Sequence, residues 1–150
     1  MGILQRHPHL LELIYSMTRR FLLPFRFWLK PGSRVESFLI HMERVGKGVV
    51  FDCRMCGQCV LHVTGMTCPM TCPKNLRNGP CGGVRTDGNC EIIPEMPCVW
   101  VQAWERSKHM PRYGPEILNV LPPLDRQLEG SSAWVNDFAG KVDPPPGWES

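Results

Sequence analysis

The chain has 150 residues, a net charge of +3, fifteen prolines, fourteen glycines and eight cysteines. The length suits one domain with arms. The positive residues are spread along the chain, which argues against a nucleic-acid partner that needs a concentrated basic face. So much proline and glycine limits regular secondary structure, so stability must come partly from elsewhere. Metal ligation can supply it, at roughly 10–16 kcal/mol for structural zinc in small peptides.

In chain order, Leu10, Leu13, Ile14, Met17 and Phe21 recur at helical spacing and predict a first helix. Pro8 stands near its start and Pro24 near its end. The run from Phe21 to Leu29 contains Pro24 and Arg26 and lacks a cleavage site, so it does not resemble an export signal. It is also too short to span a bilayer. The expected location is therefore the reducing cytoplasm, with thiolates rather than the four disulfides of an exported protein. Ser33-Arg34-Val35-Glu36 is a capping box that opens a second helix carrying Val35, Phe38, Leu39, Met42 and Val45. Gly46-Lys47-Gly48 is expected to stop it. Three roles compete for this arm: helices covering a metal core, a docking arm, or a membrane-surface helix suggested by Phe25, Phe27 and Trp28 among Arg26 and Lys30. His7, His9 and His41 show no ligand-like spacing.

All eight cysteines lie between Cys53 and Cys98. Val49-Val50-Phe51 reads as a short strand delivering the chain to Cys53. Cys53, Cys56 and Cys59 follow at three-residue intervals, which suits the face of a cubane better than the paired spacing of zinc ribbons. Next come Cys68-Pro69 and Cys72-Pro73, then Cys81 between Gly79-Pro80 and Gly82-Gly83, then Cys90 and Cys98. Gly57, Gly79, Gly82 and Gly83 are candidate cofactor-binding positions, where bare backbone can bend close and its N–H groups can face sulfide. Eight thiolates suffice for one or two [4Fe-4S] clusters, or for a cluster and a zinc site; counting does not separate these. The working assignment joins Cys53, Cys56 and Cys59 to a distant fourth cysteine. His62 is treated as an outer or exposed residue.

Val99 to Arg106 predicts a short helix on which Trp100 and Trp104 would stack. Prolines 111, 115, 122 and 123 then break the chain, with at most a turn of helix from Glu116 to Leu121. Leu124, Leu128, Trp134, Val135 and Phe138 have no evident place to bury and suggest an arm draped over a partner. Asp143 to Gly147 reads as an extended tail. The expected fold is a small irregular α+β metal-stabilised domain with few short strands. Its parts are a helical arm at 1–47, a cysteine-rich core at 48–110 and a Pro-rich docking tail at 111–150.

The run C-R-M-C-G-Q-C, the Cys68-Pro and Cys72-Pro-Lys steps, N-G-P-C-G-G, Gly88-Asn89-Cys90-Glu91, Cys98-Val99-Trp100 and the segment from Leu128 to Asn136 together resemble the methylenetetrahydrofolate reductase C-terminal domain family. The resemblance spans roughly residues 45 to 140. It implies an iron–sulfur or zinc subunit beside a flavin-binding (β/α)8 barrel, which itself would bind folate and carry the hydride chemistry. The implied roles are an electron relay or a zinc-stabilised assembly module, with no catalytic residue in this chain. The short length and the amino-terminal helical arm depart from the longer two-subunit relatives of acetogenic bacteria.

Overall fold

In the computed structural model, which describes residues 3–142, four α-helices are joined by turns and short 3-10 segments. They are α1 (Pro8–Leu22), α2 (Arg34–Phe51), α3 (Val99–Ser107) and α4 (Ala133–Phe138). The expected α+β class is overturned. Among the described residues there is no strand, only one isolated antiparallel bridge between Asn89 and Pro97.

The misplaced strand explains the error. Val49-Val50-Phe51 is the last turn of α2, because the helix runs straight through Gly46 and Gly48. Two interior glycines cost about 1 kcal/mol each. Val50 and Phe51, packed against the main core, help offset that cost. The helix stops one turn later than expected, at Asp52, which takes a left-handed φ of 50°. There Asp52 N–H donates to the Gly48 carbonyl and Cys53 N–H to that of Lys47, a closure typical of helix ends. The start of α2 is as the capping box predicts: Ser33 Oγ accepts from the Glu36 N–H at 3.1 Å.

Both helical stripes face the opposite way from a covering role. On α1 the buried residues are Pro8, Leu11, Glu12 and Tyr15. Leu10, Leu13, Ile14, Met17 and Phe21 are exposed. The inward face is fixed by polar chemistry: Glu12 Oε1 accepts the N–H groups of Arg112 and Tyr113 at 3.0 and 2.6 Å. On α2, Val35, Phe38, Met42, Val45 and Val49 are likewise exposed, Phe38 at 62% and Val49 at 82%. Glu43 is the buried residue of that helix.

The core lies where the sequence shows only a spacer. Residues 60–69 are buried throughout, and Met66 is fully enclosed. Leu61, Met66 and Cys68 pack with Leu11, Tyr15, Met110 and Trp134. In place of a sheet, side-chain amides clasp distant backbone. Gln58 exchanges two hydrogen bonds with Asp125, at 2.8 and 3.2 Å. Asn78 does the same with Leu121, at 2.9 and 2.7 Å. Asn136 Nδ2 donates to the Gly57 carbonyl at 2.9 Å.

Helix α3 forms as expected, but its indoles part company. Trp100 is buried and donates from Nε1 to the Leu76 carbonyl at 3.1 Å, while Trp104 is exposed beneath Lys108. The turn expected over Glu116 to Leu121 is found shifted toward the amino terminus, as a 3-10 segment at Gly114–Leu118. The carboxyl-terminal arm also departs from expectation. Trp134 and Val135 are buried within this chain, because Glu43 Oε1 accepts from Ser132 Oγ and from the Trp134 N–H and so ties α4 to α2. The tail from Asp143 to Gly147 lies outside the described residues.

Candidate metal centre

All eight cysteines are free thiols, and they divide between two cavities. Cys53, Cys56, Cys59 and Cys68 line the first. Cys72, Cys81, Cys90 and Cys98 line the second. Cys68, which the buried run from Val60 to Thr67 returns to the cavity, is the fourth cysteine lining it. The two Cys-Pro steps, adjacent in sequence, serve different cavities. Cys56 and Cys72 nevertheless border a common surface cleft, so the two sets are neighbours.

The first cavity is shaped by backbone that side chains rarely tolerate. Asp52 and Met55 have φ of 50° and Gly57 has φ of 74°, which coils the chain tightly around it. That coil turns N–H groups toward sulfur. Met55 N–H donates to Cys53 Sγ at 3.4 Å. Leu61 N–H donates to Cys59 and Met70 N–H to Cys68. In each case the donor stands two residues after the cysteine. Such donors favour the thiolate over the thiol. Cys56 Sγ instead donates to the Gln58 carbonyl at 3.6 Å.

Burial opposes ionisation and outweighs these donors. It pushes the Cys53 and Cys59 thiols up, and that of Cys68 up to about 12. A metal entering this cavity must therefore expel protons, and the fold supplies compensating charge. Lys47 lines the cavity, 2.6 Å from Glu43 Oε2 and with Nζ 5.1 Å from the Trp134 ring centre. Burial alone would lower its pKa, but Cys59 and Glu43 more than offset this and hold the ammonium charged. Arg77 is buried on the same cavity and donates from Nη2 to the Gln58 carbonyl at 3.1 Å. Tyr15 of α1 hydrogen-bonds the Cys59 side chain. None of Tyr15, Glu43, Lys47 and Arg77 was legible as part of a site.

The second set sits on turns. Cys90 N–H donates to the Met96 carbonyl at 2.9 Å and Cys98 N–H to that of Gly88 at 3.0 Å. Cys98 also caps α3. Cys81 Sγ donates to Glu91 Oε1 at 3.3 Å, and Glu91 pairs with Lys74.

The four glycines fall in different places. Gly57 lines the first cavity, yet a Cβ there would meet the Leu128 carbonyl oxygen at 2.1 Å, so its bareness serves chain packing. Gly83 abuts the Glu91 side chain, and Gly79 and Gly82 face open space. His62 is buried, with Nδ1 2.6 Å from Glu116 Oε2, and burial lowers its pKa. It takes no place among the cysteines.

The donor set suits sulfur-loving metal: four thiols share a cavity with three inward N–H donors and two buried cations. A single tetrahedral ion would draw four sulfurs to about 3.8 Å of one another, from a Zn–S bond of about 2.3 Å. Among the described residues, no group of three or more His, Cys, Asp or Glu side chains is placed to hold a metal ion.

A family model described as methylene-tetrahydrofolate reductase C terminal matches residues 33–127. The match takes in α2, both cysteine sets and α3, and leaves out α1 and α4. No curated protein and no solved structure matches the chain.

Proposed function

The chain belongs to the methylenetetrahydrofolate reductase C-terminal domain family, and from that premise we propose that it is the cluster-bearing accessory subunit of such a reductase. Cys53, Cys56, Cys59 and Cys68 would hold one [4Fe-4S] cluster, and Cys72, Cys81, Cys90 and Cys98 a second. The observation that carries the reading is the four-thiol cavity with backbone N–H groups aimed at three of its sulfurs. Bound iron–sulfur clusters supply one-electron transfer. The chain's own residues hold the sulfurs, turn N–H donors onto them and shut water out with Leu61, Met66 and Trp134.

The catalytic flavin-containing subunit would dock on the apolar face of α1 and α2. Leu13, Ile14, Met17, Phe38, Met42 and Val49 are all exposed there. Exposed large apolar residues in such number mark an interaction site. Among the described residues no helix is long and apolar enough to cross a membrane. Flavin, folate and hydride transfer would belong to the partner, and the location would be the cytoplasm.

The test is anaerobic co-purification with the reductase encoded in the same source. Protein that is brown, bleaches with dithionite and carries roughly eight irons and eight sulfides per chain is the expected result for two four-iron clusters. Colourless protein with stoichiometric zinc would leave the alternative, a zinc-stabilised assembly module with no redox role.

A further inference from the structure

We infer that Arg77 is the uncompensated counter-charge of the Cys53, Cys56, Cys59 and Cys68 site and raises the reduction potential of whatever cluster that site holds. The inference rests on the cluster reading above.

Arg77 is 8% exposed. Its Nη2 is satisfied by the Gln58 carbonyl, but Nε and Nη1 have no hydrogen-bond partner among the described residues. Nor does it enter any ion pair described in the structure. A buried guanidinium with two idle donors is costly unless something anionic meets it. It borders the four-thiol cavity and also the adjoining one that Cys59 and Asp137 share, where Asp137 lies 3.9 Å from Arg19. Cys56 Sγ and Arg77 Nη2 even share one acceptor, the Gln58 carbonyl.

The other charges on this cavity cancel. Lys47 is matched by Glu43 at 2.6 Å. That leaves Arg77 as the net positive charge. A four-iron cluster with four thiolates is a dianion when oxidised and gains a further negative charge on reduction. A fixed cation in a buried, weakly screened site favours the more negative state, so it raises the potential. Among the described residues, no such unpaired charge borders the second set. Its cavity is bordered by the Lys74–Glu91 pair, which is partly exposed and self-neutralising. The second site is therefore an internal control.

The experiment uses the complex purified anaerobically with its metal, as wild type, Arg77→Gln and Arg77→Lys. Iron and sulfide are measured first, and the two clusters are then titrated potentiometrically with EPR detection. The expected result is that R77Q moves one potential to a lower value, leaves the other in place, and that R77K restores most of the shift. Loss of about half the iron in R77Q, with full iron in R77K, supports the same charge requirement. Unchanged potentials in an iron-replete R77Q overturn the inference alone, as does equal loss of iron in both variants. A wild type that holds zinc and no iron overturns the cluster reading, and this inference with it.

Discussion

Replacing Gly57 with alanine separates a packing requirement from a cofactor requirement, and the structure sets the size of the effect. The added Cβ would lie 2.1 Å from the Leu128 oxygen and 2.9 Å from both the Leu128 carbon and Ser131 Oγ. An ordinary contact needs about 3.4 Å or more, so backbone must yield by roughly 1 Å, which as overpacking costs about 1–3 kcal/mol. The φ of 74° adds a left-handed penalty for any L side chain, about 1–2 kcal/mol. Together these make G57A about 2–5 kcal/mol less stable, a large part of a typical domain's 5–15 kcal/mol. The segment it would displace is the one clasped through Gly130 N–H to the Met55 carbonyl at 2.7 Å and through Asn136 to Gly57 itself. G82A is the matched control: its Cβ meets nothing within 4 Å, and its φ is not positive. It should stay within about 0.5 kcal/mol of wild type. Denaturant unfolding of the metal-loaded protein, followed by circular dichroism, reads both. A G57A protein as stable as wild type would refute the reasoning, because it would show that the Leu128 turn does not press on Gly57.

Other outcomes follow from the same geometry. Cys56→Ser and Cys90→Ser should each remove about half of the iron and sulfide, from different cavities; total loss in either would show that the sets are not independent. Phe38→Glu with Met42→Glu on the exposed face of α2 should weaken capture of the reductase partner at least tenfold, about 1.4 kcal/mol or more, with iron content unchanged; undiminished capture would move the docking surface elsewhere. His62 provides a pH test. Its pKa is lowered from 6.5 by burial, so below pH 6.5 the unfolded chain binds the proton more readily than the fold does. Stability should therefore be intact above about 6.5 and fall as pH drops toward the depressed folded value. His62→Gln should flatten that slope in urea melts compared across pH 5 to 7, approximate bounds around the ordinary histidine range.

What the sequence by itself determined is local. Pro8 and the Ser33 capping box mark helix starts because those residues satisfy or dispense with early backbone N–H groups. The spacing of the cysteines and the motifs around them carry the family relationship, which the match over residues 33–127 bears out. Two kinds of information were out of reach. Helical periodicity shows that α1 has an apolar stripe but not which side faces in. That was decided by Glu12 and Tyr15, whose partners are Arg112, Tyr113 and Cys59, far along the chain. A glycine pair reads as a helix stop because the cost is local, whereas the packing of Val50 and Phe51 that helps offset it is tertiary. The division of the cysteines between two cavities was hidden for the same reason. Only the buried loop from Val60 to Thr67 brings Cys68 back to Cys53, and only folding sets Lys47, Glu43 and Arg77 around them. Charge and burial act through space, so residues close in three dimensions but remote in sequence leave no periodic trace.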